Sequence, residues 1–543
     1  MTPEPRITGM FQTDLRARAA YSEGAGIYRI IPSAVARPAG VEDLQVLLEW
    51  ASRTSTTLIP RAAGSSVTGS NVGEGVIVDL MGLPRVLQLR EEEKTVRTSP
   101  NIRWGELAES AGKMGLRLPP DPSSGPFATL GGMLSTNASG ARSVRYGSIR
   151  RWVKGLTLLT TDGEVIELRR GQPAPSDGAV VQRFARDVAP RLSEAAGLIA
   201  ARTPRTRKNS SGYALASWLS SGDLLDLIIG AEGTLGIVTE IVWQLAPVPS
   251  LRAGLSAALA DLALLNDAVE AILPLNPSAL ELLDRTFLDL VRANRGTDAA
   301  LATAEAMLLI EFEGDKAESL RGTVGDAVRR LKSIATDVIT ALTPEDEHRV
   351  WTLRHAASPI IADLPPGRRS LQVIEDACIP VPRMGEYIAA VRRIAARLDL
   401  PVVIFGHAGD GNVHVNVLPE VDRPGWEETV YTLWNEVTTE VIRLGGTTSG
   451  EHGDGRIRCA ALESVYGPEM VELFRLVRRA FDPRGILNPG VKVPMNDKEL
   501  SPLSSLKTGS TAPEIPPDIA AALREIERRG DYKRDRLEIA AEA

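Results

Sequence analysis

Two short glycine-rich segments, GHAGDGNVHVN (406–416) and TSGEHGDG (448–455), hold three of the five histidines in this 543-residue chain. His407 and His414 flank a Gly-Asp-Gly turn, and Glu451 stands next to His452 in the second segment. Imidazole nitrogens suit Zn²⁺, Fe²⁺ and Mn²⁺, and a carboxylate from another loop completes a three-ligand site with open positions. Neighbouring side chains of an extended loop point opposite ways, so Glu451 and His452 are expected to face different partners. That division suits one metal ligand and one general base. Asp410 reads as a turn residue. His348 and His355, in the helical stretch EDEHRVWTLRHAA, read as structural or solvated.

Strands must carry these groups. VVIFG (402–406) runs into HAGDGN and out into VHVNV, a strand, turn and return strand that brings His407 and His414 close. AMLLIEFEG (306–314) and SLQVIEDACIPV (370–381) read as further strands. Helical spacing predicts helices over 257–272, 317–335, 384–398 and 426–443. Upstream, VEDLQVLLEWASRT (41–54) reads as a helix, and GVIVDL (75–80) and TLGIVTEIVWQLAPV (234–248) as strands. GLTLLTTDGEVIEL (155–168) reads as a hairpin turned by Asp162-Gly163. Hairpins among helices argue for an α+β fold rather than a purely parallel sheet. Pro247 and Pro249 mark a change of composition, so the chain divides into residues 1–248, 249–492 and 493–543. In the last part, SPLSSLKTGSTAPEIPPD reads as a linker that does not pack, followed by a charged helix near Asp518–Arg529.

Composition narrows the class. A chain of this length exceeds what one core supports, and 43% apolar residues suffice for two. The net charge of −7, with both signs well mixed, lacks a nucleic-acid footprint. Two cysteines, Cys378 and Cys459, cannot form a disulfide framework, a cysteine zinc site or an in-chain iron–sulfur cluster. No secretory signal or membrane-spanning stretch is legible. The expected setting is cytoplasmic, or peripheral to the inner membrane.

PRAAGSSVTGSN (60–71) approaches a Walker A loop, but Ser70-Asn71 stands where Lys-Ser/Thr is required. The first half also lacks a strand-linked G-x-G-x-x-G, which argues against a Rossmann nicotinamide site. Together with PPDPSSG (119–125), TLGGMLSTNASGARSVRYGS (129–148) and GAEGTLGIV (230–238), it gives four donor-rich glycine loops in one domain. Such turns make concave anion sites. They point to a buried dinucleotide diphosphate.

These loops resemble the FAD-binding domain of the vanillyl-alcohol-oxidase and p-cresol-methylhydroxylase superfamily. The second half resembles its FAD-linked oxidase C-terminal domain, with SGEHGDGR (449–456), VIEDACIPV (373–381) and FDPRGILNPG (481–490) as the specific motifs. Within that superfamily the likeness is to D-lactate dehydrogenases, glycolate oxidase flavin subunits and D-2-hydroxyglutarate dehydrogenases. The resemblance implies a two-part FAD-binding domain and an antiparallel-sheet substrate domain with covering helices, whose end returns to the flavin. It places Arg61, Gly64, Ser65, Ser66, Thr68, Gly69 and Ser70 at the diphosphate. Pro120, Asp121, Ser123, Ser124, Gly131, Gly132, Ser135, Asn137, Gly140 and Tyr146 would line the flavin. Glu232, Gly233, Gly236, Ile237 and Val238 match the adenine side, and Asn488 a returning loop. His407, His414 and Glu451 match metal ligands, zinc in the metal-dependent members. His452 matches the base, Asn416 a substrate-side polar group, and Arg354 the arginine that grips the substrate carboxylate.

The implied reaction is oxidation of a D-2-hydroxy acid to the 2-oxo acid, with electrons passed to a separate iron–sulfur protein or a quinone. A homo-oligomer stays open. Ile374 and Glu375 stand where diacid-specific members carry a lysine, which puts a diacid substrate in doubt. All histidines lie beyond residue 347, so non-covalent FAD is expected. Two other classes share features of the sequence: a non-haem iron oxygenase, with the same ligand set, and a non-catalytic flavin subunit. A yellow chromophore excludes the first, and flavin reduction by substrate excludes the second.

Overall fold

The computed structural model describes residues 4–295, 303–365, 367–495 and 502–541. In the first domain, one four-stranded sheet runs in the order Met10–Gln12, Ala34–Arg37, Val76–Asp79, Leu58–Arg61. Its last three strands are parallel, and the helix Val41–Thr54 covers it through Leu44, Leu47, Leu48 and Ala51, all fully buried. Burial of each such leucine contributes roughly 1.5–3 kcal/mol. A second, antiparallel sheet runs Leu87–Arg90, Thr95–Thr98, Ile237–Gln244, Val153–Leu159, Val165–Arg169. The hairpin read at 155–168 is present, and Gly163 turns it at a φ of +81°.

The second domain is built on a seven-stranded antiparallel sheet. Its order is Asp337–Ala341, Leu251–Leu259, Ala306–Gly314, Ala279–Asp284, Val402–His407, Asn412–Val417, Ala377–Cys378. Strand side chains alternate between faces, and here the two faces differ in kind. Leu255, Leu280, Leu282, Leu308, Ile310, Ile404, Val413 and Val415 bury one face within a large apolar core. The pairs Arg252↔Glu313, Gly254↔Glu311, Ala279↔Glu311 and Phe405↔His414 place polar groups on the other.

Three expectations change. The helix read at 257–272 begins only at Leu265, because Leu251–Leu259 pairs along its whole length with Ala306–Gly314. In 370–381 only Ala377–Cys378 forms a strand, and the preceding acids are turned inward to buried partners. The stretch after Pro494, expected to stay unpacked, packs over its described part. The helix Pro517–Arg529 presents Ile519, Leu523 and Ile526 on one stripe, and these join Ala19, Ala20, Tyr21, Ile59 and Ile77 in one core. Lys507 N–H donates to Ile27 O, and Arg29 N–H to Ser505 O, so the tail is stitched to the N-terminal segment. No helix among the described residues is long and apolar enough to cross a membrane.

Candidate active site

The hairpin register decides the first contact. Phe405 pairs with His414 and Val403 with Asn416, so Phe405, His407, His414 and Asn416 share the polar face of the sheet. The imidazoles of His407 and His414 meet edge to face with centroids 5.1 Å apart. Gly411 turns between them at a φ of +72°, and a Cβ there would lie 2.0 Å from Ile379 O, so only glycine fits.

The second loop is held by Asp376, which is fully buried. Its carboxylate accepts the backbone N–H of Glu451 and, at 2.8 Å, of His452; it also accepts from Ser449 Oγ and Asn412 Nδ2. Glu451 and His452 are thereby sent to different partners. Glu451 Oε1 lies 3.0 Å from His407 Nε2 and 3.3 Å from His414 Nε2. His452 Nδ1 lies 2.8 Å from Glu375.

The surrounding acids and bases fix protonation states. His407 Nδ1–H donates to Glu281 Oε1 at 2.6 Å, and His414 Nδ1–H to Glu375 O at 2.8 Å. Burial alone would raise the Glu281 carboxyl, but His407 and Arg354 hold it down at about 2. Glu451 is kept well below the carboxylate range against its burial by Lys208 and the two histidines. The Lys208 ammonium, buried with it, donates to Glu451 Oε2 at 2.9 Å and to Asn412 Oδ1 at 3.2 Å. Burial lowers His414, yet hydrogen bonds to Glu375 and Glu451 raise it to about 10. His452 is likewise raised, because Glu375 and Asp376 outweigh its burial.

One cavity of about 760 Å³ joins this cluster to the glycine loops of the first domain. His407, His414, Asn416, Glu451, His452 and Arg354 line one end. Gly64, Ser65, Ser66, Ser70, Asp121, Ser123, Ser124, Gly131, Gly132, Ser135, Gly140, Glu232, Gly233, Gly236, Ile237 and Val238 line the rest. Seven residues implied by resemblance lie behind or beside the wall. Arg61 braces its loop from beneath, donating to the carbonyls of Tyr21, Glu23 and Asn71. Thr68 and Gly69 continue that loop, where a Cβ on Gly69 would lie 2.4 Å from the Tyr28 ring. Asn488 Nδ2 ties Ser70 O to Glu232 O. Asn137 caps the helix Leu130–Thr136, and Pro120 precedes the Asp121 turn. Tyr146 points away, its hydroxyl bonded to Glu313 at the domain junction.

Comparison with known proteins gives the class. Residues 32–169 match the FAD binding domain family, and residues 248–491 match the C-terminal domain of the FAD linked oxidases. The glycolate oxidase subunit GlcD of Bacillus subtilis is 30% identical over 88% of this chain and 93% of its own length. The chain belongs to the FAD-linked oxidases. A D-lactate dehydrogenase of Archaeoglobus fulgidus is 28% identical over 84% of this chain and 90% of its own. The solved p-cresol methylhydroxylase matches in fold, with a TM-score of 0.63 and 15% identity over 90% of this chain and 95% of its own.

The cleft of this FAD-linked oxidase fits its cofactor. Its first-domain wall is glycine and hydroxyl, suited to a diphosphate, and Asn71 on that wall keeps a buried Oδ1 without a partner. The lining includes no cysteine, and its histidines all come from the second domain. The metal seat fits too. With both Nδ1–H groups donating outward, Nε2 of His407 and Nε2 of His414 converge on Glu451 Oε1, at 3.0 and 3.3 Å, a two-histidine, one-carboxylate donor set in which a bound cation would replace the Nε2 proton that the raised His414 holds. The outward hydrogen bonds are the usual support of metal-ligating histidines.

Several lining residues escaped the sequence reading. Glu281 lines the cavity from the sheet's polar face, which Glu311 and Glu313 share without reaching the lining, and it forms an ion pair with Arg354 Nε at 2.7 Å. His348 and His355, read from the sequence as structural or solvated, line the cavity with Trp351, from the helix Pro344–Arg354 and its end. The alternation LIEFEG carried a signal: acids at every second position of an otherwise apolar strand mark a polar face.

Proposed function

We propose that this chain oxidises a D-2-hydroxy monocarboxylate, of the lactate or glycolate kind, to the 2-oxo acid. The observation that carries the reading is the single cavity in which His452 and the two-histidine, one-carboxylate seat face the glycine loops. Arg354 receives the substrate carboxylate. Its bond to Glu281 uses Nε, and guanidinium geometry favours a bidentate carboxylate contact. The Phe405 ring beneath the guanidinium, 4.7 Å from Cζ, fixes its plane. His407, His414 and Glu451 would hold a divalent metal such as zinc, which when bound lowers the pKa of a coordinated hydroxyl. FAD, when bound, is the acceptor of the hydride from the α-carbon.

His452 then takes the hydroxyl proton at Nε2, because Nδ1–H is committed to Glu375. Glu375, itself paired with Arg458 at 2.6 Å, stays ionised and stabilises the imidazolium that forms. Asn416 Oδ1 accepts from Ser370 Oγ at 3.0 Å, which turns its amide end toward the cavity. Each cavity arginine already has a carboxylate partner: Arg142 with Asp121 and Glu311, Arg252 with Glu313, Arg354 with Glu281. The cavity lining holds six acids, Asp121, Glu232, Glu281, Glu347, Glu375 and Glu451, against three arginines, and this excess of negative charge disfavours a second substrate carboxylate. The Bacillus relative is named as a subunit of a glycolate oxidase, which supports electron delivery to a separate partner such as an iron–sulfur protein or a quinone.

Anaerobic addition of D-lactate or glycolate to the purified yellow protein tests this. Bleaching of the flavin band is expected with D- but not L-lactate, and a chelator should abolish it. An unchanged spectrum across a panel of D- and L-2-hydroxy acids sinks the proposal and favours a partner-dependent flavin subunit.

A further inference from the structure

Glu281 is fully buried on the central strand Ala279–Asp284, an ionised carboxylate flanked by Leu280 and Leu282. Its two oxygens are divided. Oε1 accepts from His407 Nδ1 at 2.6 Å, and Oε2 accepts from Arg354 Nε at 2.7 Å. The two partners arrive from different elements, His407 from the end of strand Val402–His407 and Arg354 from the end of helix Pro344–Arg354. Leu283 pairs with Phe405, so Glu281, two residues away, rises from the same sheet face.

We infer that Glu281 is a positioning residue that joins the metal seat to the carboxylate clamp, fixing the His407 tautomer with one oxygen and the Arg354 fork with the other. The inference rests on the proposed roles of His407 and Arg354. As an acceptor-only group, an ionised carboxylate obliges His407 to carry its proton on Nδ1, which leaves Nε2 free to ligate. The same anion fixes Nε of Arg354, so the outer nitrogens keep one orientation. The distance between metal and clamp is then set by one rigid strand residue.

Glu281→Gln separates the two arms. Arginine nitrogens only donate, so the amide oxygen must face Arg354 and the amide nitrogen must face His407. That forces the His407 proton onto Nε2. After dialysis against dilute zinc, E281Q should retain flavin but lose zinc affinity by about 10- to 100-fold, read by atomic emission. Excess zinc should restore the rate of flavin reduction with KM for the hydroxy acid little changed. Glu281→Ala, which frees both partners, should lose zinc and raise KM as well. Should E281Q fail to retain flavin, Glu281→Asp decides: one methylene short, it should weaken zinc binding or raise KM. Zinc-bearing wild type beside equally zinc-bearing E281Q, or an unaffected E281D, overturns this inference alone. Wild type that binds no metal and is not reduced overturns the proposed function with it.

Discussion

His452 and Glu375 form a bifurcated pair, with Nδ1 lying 2.8 Å from each carboxylate oxygen. The symmetric grip fixes both the tautomer and the plane of the ring, which stacks on His414 at 5.3 Å. The remaining nitrogen is the only titrating atom His452 can offer to a substrate. His452→Ala should therefore leave flavin content intact and slow anaerobic flavin reduction by roughly 10²–10⁴, the usual contribution of a positioned base. Glu375→Gln should slow it less, since the ring keeps its place but loses the anion that stabilises its charged form. Reduction at the wild-type rate in H452A would refute the assigned base.

Arg354 is tested by a change that keeps charge and loses shape. Lysine cannot reproduce the two-pronged contact or the stacking on Phe405. If one charge-assisted hydrogen bond of about 1.5–3 kcal/mol is lost, KM for D-lactate should rise roughly 10- to 100-fold. Steady-state assays with a dye acceptor measure this. An unchanged KM in Arg354→Lys would place the carboxylate elsewhere in the cavity.

Much of the site was legible because its reactive groups lie in two glycine loops whose local turns can be read. The helices at 41–54 and 426–443 were legible for the same local reason, an uninterrupted apolar stripe. Glu281 was not, since its partner His407 lies 126 residues on and the acids of LELLD carry no local signature. Lys208 meets Glu451 across 243 residues and the domain boundary. The tail misled differently. Its Pro/Ser/Thr composition carries no apolar pattern over 502–516, where Leu506 is nonetheless buried and the backbone pairs with Ile27 and Arg29, and the stripe of Ile519, Leu523 and Ile526 was masked by a charged surface.

That tail supports the cofactor cleft at one remove. Leu523 and Ile526 share a core with Tyr21, and the Arg61 guanidinium lies 5.4 Å from the Tyr21 ring while bracing the loop that lines the cavity. Tyr532 packs on Phe127, close to Ser123 and Ser124 on the cavity wall. Leu523→Ala should cost about 2–5 kcal/mol through the void it leaves. A lower melting temperature and faster loss of flavin on gel filtration are expected. A variant that retains flavin and stability would mean the tail packs without supporting the loop.

The domain junction predicts the response to acid. Glu313 of the second domain accepts from Arg117 of the first, at 2.7 and 2.8 Å, and from the Tyr146 hydroxyl. Burial would raise its carboxyl from 4.5, but the Arg117 and Tyr146 hydrogen bonds, with the charges of Arg117 and Arg142, bring it down to about 2. A value depressed by folding means stability that is complete above the ordinary carboxyl value and disappears as pH falls through the folded one. The window is therefore pH 4.5 down to about 2, and the contribution is on the order of 3 kcal/mol. Glu313→Gln should be less stable than wild type at neutral pH, with the difference shrinking across that window in denaturant titrations. A gap of constant size would show that Glu313 contributes by packing rather than by charge.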